Sequence, residues 1–399
     1  MTRPLAVAKR DERARDRPAS RVREWSRELA GIVLHGGAGC LAGVGEAGRE
    51  LKGRRALVVT DADVRAAGHV ERAVRALEAA GLAVEIFDAI RENPTSADVD
   101  RGAEAARRFG ADLLVAVGGG SAMDATKGVN FVATNGGRME DYWGHGKAER
   151  PMLPSIAAPT TAGTGSEAQS YALIAASEPE PGMRHGRKMA CGDAKARFDV
   201  VLLDPELVAT APRRVAALAG LDAVAHVVES FVTARRNPVS ALYAREAWRL
   251  IEPAFARFAA GEADLDVWSD LLLGAHLAGA AIEASMLGAA HAAANPLTAA
   301  YGLAHGLAVS LMLPSVVRFN GPEVDDLYRE LCGGSAADLA SRLHDLRLAV
   351  GIPGGLAGHG VERGRLPELA RLATREWTGA FNPRAVAERD FLELYEAAW

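Results

Sequence analysis

The chain has 399 residues, 49% of them hydrophobic and 24% charged, so it can bury a large core and is long enough for two domains. A formal net charge of −5 gives no reason to expect nucleic acid or an acidic membrane as partner. Three cysteines, Cys40, Cys191 and Cys332, lie far apart without a CxxC pair, which fits thiols in a reducing, cytoplasmic compartment.

Residues 1–25 are rich in arginine but include Asp11, Glu12, Asp16 and Glu24. They lack the apolar run of a secretory signal, and a transit peptide avoids acids, so they read as a loose or partly helical extension. No charge-free stretch in the chain is long enough to span a bilayer.

GRRALVVTD (53–61) reads as a buried strand ending in an acid, and residues 62–80 follow with helical spacing of Val64, Val70, Val74 and Leu77. Gly81 stops that helix and LAVEIF starts another strand. SADVDRGAEAARRFG is helical again and runs into the strand ADLLVAVGGG. This alternation predicts a parallel sheet covered by helices on both faces, with LPSIAAP and FDVVLLDPE as later strands. From Arg213 onward Ala/Leu-rich segments dominate, so the partition is an α/β domain over 26–206 and an all-helical domain over 207–399.

Gly118, Gly119 and Gly120 follow a strand directly, and Ser121 is placed to cap the helix after them. Such a turn either holds a phosphate on bare N–H groups or merely links strand to helix. Its spacing matches neither GxGxxG nor the P-loop pattern. PTTAGTGSE (159–167) supplies Thr160, Thr161 and Thr164 after another strand, which suits a large polar ligand such as a dinucleotide. Asp61 is either a helix N-cap or an acceptor for an adenosine ribose that would repel a 2′-phosphate.

In LDAVAHVVES, Asp222 and His226 are i and i+4 and share one helix face. They are either a hydrogen-bonded pair or half of a metal site, since a buried carboxylate needs a partner. His291 and His305 would be roughly 21 Å apart on one continuous helix. Asn295-Pro296 and Tyr301-Gly302 interrupt the interval, so both imidazoles can fold back to complete an N3O set for zinc or ferrous iron. His35, His69, His276, His344 and His359 read as surface or packing residues, while His145 and His185 flank loops near the presumed cleft.

At this point the chain resembles the iron-containing (group III) alcohol dehydrogenases, over nearly all of it after about residue 30. HGGAG, NPT (93–95), GGGSAMDATK, PTTAGTGSE, DPEL, LDAVAH, GLAHG with LMLP, and FNPR fall in the family's order. The resemblance implies a dehydroquinate synthase-like fold, a homodimer or higher homo-oligomer, NAD(H), and usually Fe²⁺. It places the metal ligands on Asp222, His226, His291 and His305, and the nucleotide on Asp61, Asn93, Gly119, Gly120, Ser121, Asp124, Thr160, Thr161 and Thr164. In one respect the sequence departs from the pattern: Asn295 stands where many members carry a second histidine, and asparagine cannot relay a proton near neutral pH. It remains a candidate contact for substrate or nicotinamide.

The expected activity is hydride transfer between NAD(H) and an alcohol, aldehyde or ketone, with the metal as Lewis acid. One alternative is an enzyme of the same fold acting on a phosphorylated or carboxylated polyol, for which Arg184, Arg187 and Lys188 form a candidate basic cluster. The other is a nucleotide-binding protein without catalysis. Phe131, Tyr142, Trp143, Met286 and Trp377 are candidate pocket residues or simply core.

Overall fold

The computed structural model describes residues 25–179 and 181–399. The expected extension over 1–25 lies outside them except for Trp25, which opens the first strand. Among the described residues the chain starts with an antiparallel pair, β1 (Trp25–Leu29) and β2 (Ile32–Gly36), turned at Ala30-Gly31 with both φ angles positive. The charged WSREL segment hides this hairpin from hydrophobic patterning.

Strands and helices then alternate through α1 (Val44–Glu50), β3 (Arg55–Val59), α2 (Ala62–Ala66), α3 (His69–Ala79), β4 (Ala83–Phe87), α4 (Ser96–Phe109), β5 (Leu113–Gly118) and α5 (Gly120–Asn135). The two-residue β6 (Gly144–His145), β7 (Ser155–Pro159), β8 (Tyr171–Ala175), β9 (Lys188–Gly192) and β10 (Val200–Leu203) complete this part. The single helix anticipated over 62–80 is two helices, because Gly68 adopts a left-handed φ of 83° and the chain restarts there.

The main sheet has the order β1-β2-β10-β7-β5-β3-β4, and every pairing except β1–β2 is parallel. Alternate residues of its strands face opposite layers, as period two demands. Ala56, Val58, Val115 and Val117 join Val44 of α1 and Val70 and Leu77 of α3 in one core. Leu57, Val59 and Leu114 join Ala106 of α4 and Ala125 and Val129 of α5 in another. The order reverses at β3, with β4 on one side and β5 on the other. In such a sheet the crevice beyond the carboxyl ends of the strands flanking the switch is where ligands bind. A small sheet, β6-β9-β8, packs through Ile174, Met189 and Cys191 against Phe131 and Val132 of α5.

Beyond Leu203 the described chain is helical: α6 (Pro205–Val208), α7 (Arg213–Val232), α8 (Pro238–Ala259), α9 (Leu265–Ala284), α10 (Ala289–Tyr301), α11 (His305–Cys332, kinked at Val324), α12 (Ala336–Ala349), α13 (Leu366–Ala373) and α14 (Glu388–Ala398). The most apolar stretches of α7 and α9 are long enough to cross a membrane, but they are 83% and 67% buried and serve as core helices. Asn295-Pro296 does not interrupt the chain as anticipated. α10 runs through it, forgoing only the N–H that Pro296 lacks, and the turn falls at Gly302, with φ 70°.

Candidate active site

Three helices of the second part converge on one carboxylate oxygen. On α7, Asp222, His226 and Glu229 recur at helical spacing and are all buried. Asp222 Oδ1 lies 3.5 Å from His226 Nε2, 3.6 Å from His291 Nε2 on α10 and 3.8 Å from His305 Nε2 at the start of α11. The break at residues 302–304 lets α11 turn back, so the His291 and His305 rings lie with centroids 5.3 Å apart.

Both Asp222 Oδ1 and His291 Nε2 are buried without a hydrogen bond in the described structure. Ligand atoms about 2.1 Å from a tetrahedral ion stand about 3.4 Å from one another, close to the spacings found here. The residues therefore fit a divalent first-row metal. Asp222, His226 and His291 form the tight group, and His305, with its side chain 24% exposed, borders the open side.

Glu229 sets the orientation of His291. Its Oε2 accepts a short hydrogen bond from His291 Nδ1, and its Oε1 accepts from the Ala290 N–H at 2.7 Å. Asn382 Oδ1, from FNPR, accepts from Ala289 N–H at 3.2 Å, so two distant side chains cap the start of α10. With Nδ1 donating to Glu229, Nε2 is the ring nitrogen that faces Asp222 and would bind an ion there.

The charges follow from burial and crowding. Burial alone would raise the Asp222 carboxyl, but His226, His305 and His291 hold it well below the ordinary carboxylate range. Burial lowers His226, and it lowers His305 to about 3. Burial also disfavours charge on His291, yet Glu229 and Asp222 outweigh it and raise that imidazole to about 9. The neutral imidazoles of His226 and His305 offer lone pairs to a cation at neutral pH.

The crevice at the β3/β5 switch holds the second constellation. Gly119 is the N-cap of α5, so Ser121 lies inside the helix and does not cap it as anticipated. A Cβ on Gly119 would meet Thr161 Oγ1 at 3.2 Å, and one on Gly120 would meet Thr164 Cγ2 at 2.5 Å. The two loops thus touch through missing side chains, and Thr160 N–H donates to Gly118 O at 2.9 Å. Asp61 caps α2 through Val64 N–H at 2.9 Å by its Oδ1, while Oδ2 faces the turn, 3.6 Å from where a Gly118 Cβ would sit.

Asp124 points inward, accepting from Ser166 Oγ at 2.5 Å, and lies 3.4 Å from Lys127 Nζ. Lys127 is 2% exposed and also donates to the Ser166 and Gln169 carbonyls and, by a short bond, to Tyr171 O. The same loop meets the helical part backbone to backbone. A Cβ on Gly163 would stand 2.7 Å from Ala219 O of α7, and one on Gly279 of α9 would stand 2.3 Å from Gly165 O.

Between the two parts a cavity of about 60 Å³ is lined by Asn93, His185, Lys188, Asn295, Thr298, Glu376 and others. Asn93 adopts a positive φ of 54° at its rim. Asn295 Nδ2 donates to Glu376 Oε2 at 2.8 Å. Lys188 links the regions: burial lowers its ammonium, while Asp124, Asp222, Glu92 and Glu376 pull the other way.

Comparison with known proteins identifies the family. The model of iron-containing alcohol dehydrogenase matches residues 33–205, and that of the C-terminal part of the Fe-containing alcohol dehydrogenase family matches 216–399. The chain belongs to the iron-containing alcohol dehydrogenase family. It is 31% identical to the NAD-dependent methanol dehydrogenase of Bacillus methanolicus over 91% of this chain and 97% of that protein. It is 32% identical to the 1,3-propanediol dehydrogenase of Klebsiella pneumoniae over 91% of this chain and 96% of that one. A crystal structure of 1,3-propanediol oxidoreductase superposes with a TM-score of 0.86 at 30% identity, covering 95% of this chain and all of that one (100%).

In this family member, the five residues read as pocket candidates or simply core stand outside the cavity wall. Phe131, Tyr142 and Met286 are buried core, Trp143 stacks under Arg187, and Trp377 packs on Tyr171 and Phe381; none of the five lines the cavity. Glu229, Lys127 and Glu376 escaped notice. Glu229 was accessible from spacing, being three residues after His226 on the same face, whereas nothing local distinguishes Glu376 from a solvated acid.

Proposed function

We propose that the protein is a metal-dependent oxidoreductase that reversibly transfers a hydride between NAD(H) and an alcohol, aldehyde or ketone. Asp222, His226, His291 and His305 would hold the ion, Fe²⁺ or alternatively Zn²⁺, which supplies Lewis-acid polarisation of the substrate oxygen when bound. The dinucleotide supplies the hydride chemistry. Asp61, Gly119, Gly120, Ser121, Thr160, Thr161 and Thr164 would line its site, with Asp124 and Lys127 bracing the loops and Asn93 and Asn295 at the nicotinamide end.

The observation that carries this reading is the set of imidazole nitrogens around Asp222 Oδ1, which is buried without a hydrogen bond, on helices of which one, α10, also supplies Asn295 to the cavity wall. Residues 26–206 form the nucleotide-binding domain and 207–399 the metal and substrate domain in this proposal, which the end of the last strand at Leu203 supports. The family resemblance supports a cytoplasmic homo-oligomer.

The test is an anaerobic NADH-oxidation screen over aldehydes and ketones, with Fe²⁺ or Zn²⁺ added back. Turnover of small carbonyl compounds is expected, and a metal-loaded protein inert to all of them contradicts the reading. A second reading, a substrate bearing an anionic group, has one observation in its favour. Arg187, Lys188 and Arg375 line the cavity and form no ion pair among the described residues, whereas Arg184 is not part of its lining. Carboxy- and phosphono-aldehydes in the same screen separate the two.

A further inference from the structure

Alcohol oxidation releases a proton as well as a hydride, and the candidate metal ligands are poorly suited to carry it, their lone pairs being committed to the ion. Three groups able to take up and release a proton line the cavity: His185, Lys188 and Glu376. Arg187 and Arg375 keep their charge at any working pH. His185 is exposed at the rim. Burial lowers the Lys188 ammonium against the pull of Asp124, Asp222, Glu92 and Glu376, and no hydrogen bond ties its side chain to α10 among the described residues.

Glu376 differs from both. It lies just after α13, half-buried, with Oε2 accepting from Asn295 and Oε1 making no hydrogen bond among the described residues. Asn295 follows His291 by four residues on α10, one turn or about 6 Å along the helix. The carboxyl is therefore tied, through one amide, to the helix that carries a candidate metal ligand, and its second oxygen is uncommitted.

We infer that Glu376 is the acid–base residue of this pocket, held against α10 by Asn295 with its second oxygen free to exchange a proton with the substrate. In oxidation the substrate O–H bond breaks and its proton passes to the Glu376 carboxylate. The C–H bond breaks with its electron pair, and the hydride goes to NAD⁺, leaving the carbonyl and NADH. Glu376 then gives its proton to water. In reduction the neutral carboxyl donates to the forming alcohol. The inference rests on the hydride-transfer reading above. The electrostatics agree with it: burial raises the Glu376 carboxyl above its ordinary value, and the Asn295 hydrogen bond, Arg187 and Lys188 moderate the shift.

Glu376→Gln tests it, because the amide oxygen can still accept from Asn295 and preserve the wall. In the metal-loaded enzyme, kcat for alcohol oxidation should fall about 10²- to 10⁴-fold while KM for NAD⁺ changes little. The acid limb of the kcat/KM–pH profile should disappear. Asn295→Ala, which removes a bond to the ionised form, should instead move that limb to higher pH. Independently of activity, infrared pH-difference spectra of the metal-free protein should show a protonated carboxyl titrating above the ordinary glutamate range, absent from Glu376→Gln. An unchanged acid limb in Glu376→Gln, or a limb lost only in Lys188→Met or His185→Gln, overturns the inference while leaving the dehydrogenase reading intact. No turnover by the wild-type protein on any carbonyl substrate overturns both.

Discussion

Glu229 grips the first turn of α10 at two points, the Nδ1–H of His291 and the N–H of Ala290. Replacing it with glutamine presents an NH₂ group to Nδ1, which pushes the imidazole proton to Nε2 and blocks the lone pair that faces Asp222. Glu229→Gln should weaken metal binding by about 10- to 100-fold. Competition with a chelator measures this, and unchanged affinity would show that the Nδ1 contact is structural only.

His305 closes the open side of the cluster and is the least buried of the four candidate ligands. His305→Ala should therefore fold normally, retain less metal and lose about 10²- to 10³-fold in turnover. Metal content, circular dichroism and kcat check the three parts. A metal-free His305→Ala protein with near-normal turnover would falsify the proposed chemistry.

The contact between the glycine turn and the threonine loop leaves no room for a methyl group. Gly120→Ala forces Thr164 aside at a cost of about 1–3 kcal/mol, and the loss should appear mainly in KM for NAD⁺. Gly119→Ala, whose added carbon meets Thr161 at 3.2 Å, should be milder. Equal effects of the two on KM would contradict the loop geometry.

Asp61 has two separable tasks. Asp61→Ala removes the cap on α2 and should cost about 1 kcal/mol of stability. Asp61→Ser keeps a capping oxygen but removes the charge facing Gly118, so it should spare stability while narrowing the preference for NAD⁺ over NADP⁺. Ratios of kcat/KM for the two cofactors and thermal melts distinguish these outcomes.

Asp98 should make stability depend on acid. Burial would raise its carboxyl, but the Thr95 N–H and hydroxyl, Arg101 and Arg91 together hold it below the ordinary value. A depressed folded-state value means the stabilisation is present above the unfolded pKa near 3.9 and disappears as pH falls through the lower folded value. Asp98→Asn should cost about 2 kcal/mol at pH 7, with the gap from wild type closing in that acid window. Denaturant melts from pH 7 to pH 2 measure it.

Much of this architecture can be read from local sequence. LLVAVG and the alternating helices announce a parallel sheet because strands buried on both faces must be continuously apolar. Asp222 and His226 announce themselves by spacing within an otherwise apolar helix. His291 and His305 are harder, since their approach depends on where the chain turns. The turn is made at Gly302, and the more conspicuous Asn295-Pro296 is absorbed within α10. The contacts that escape are those between segments far apart in sequence. Glu376 lies 81 residues from Asn295, and Asn382 lies 93 from Ala289, so no local pattern records either pairing.

The bare-backbone seams at Gly163–Ala219 and Gly165–Gly279 restrict how the cleft can breathe. Main chains in such close contact cannot slide past each other without collision, whereas a small rotation about the line joining the two contacts leaves both distances almost unchanged. Any opening of the cleft would therefore have to pivot about this seam. Opening and closing would move the β9 side of the cavity against α10 and α13, while the threonine loop stays stationary with the helices that hold it.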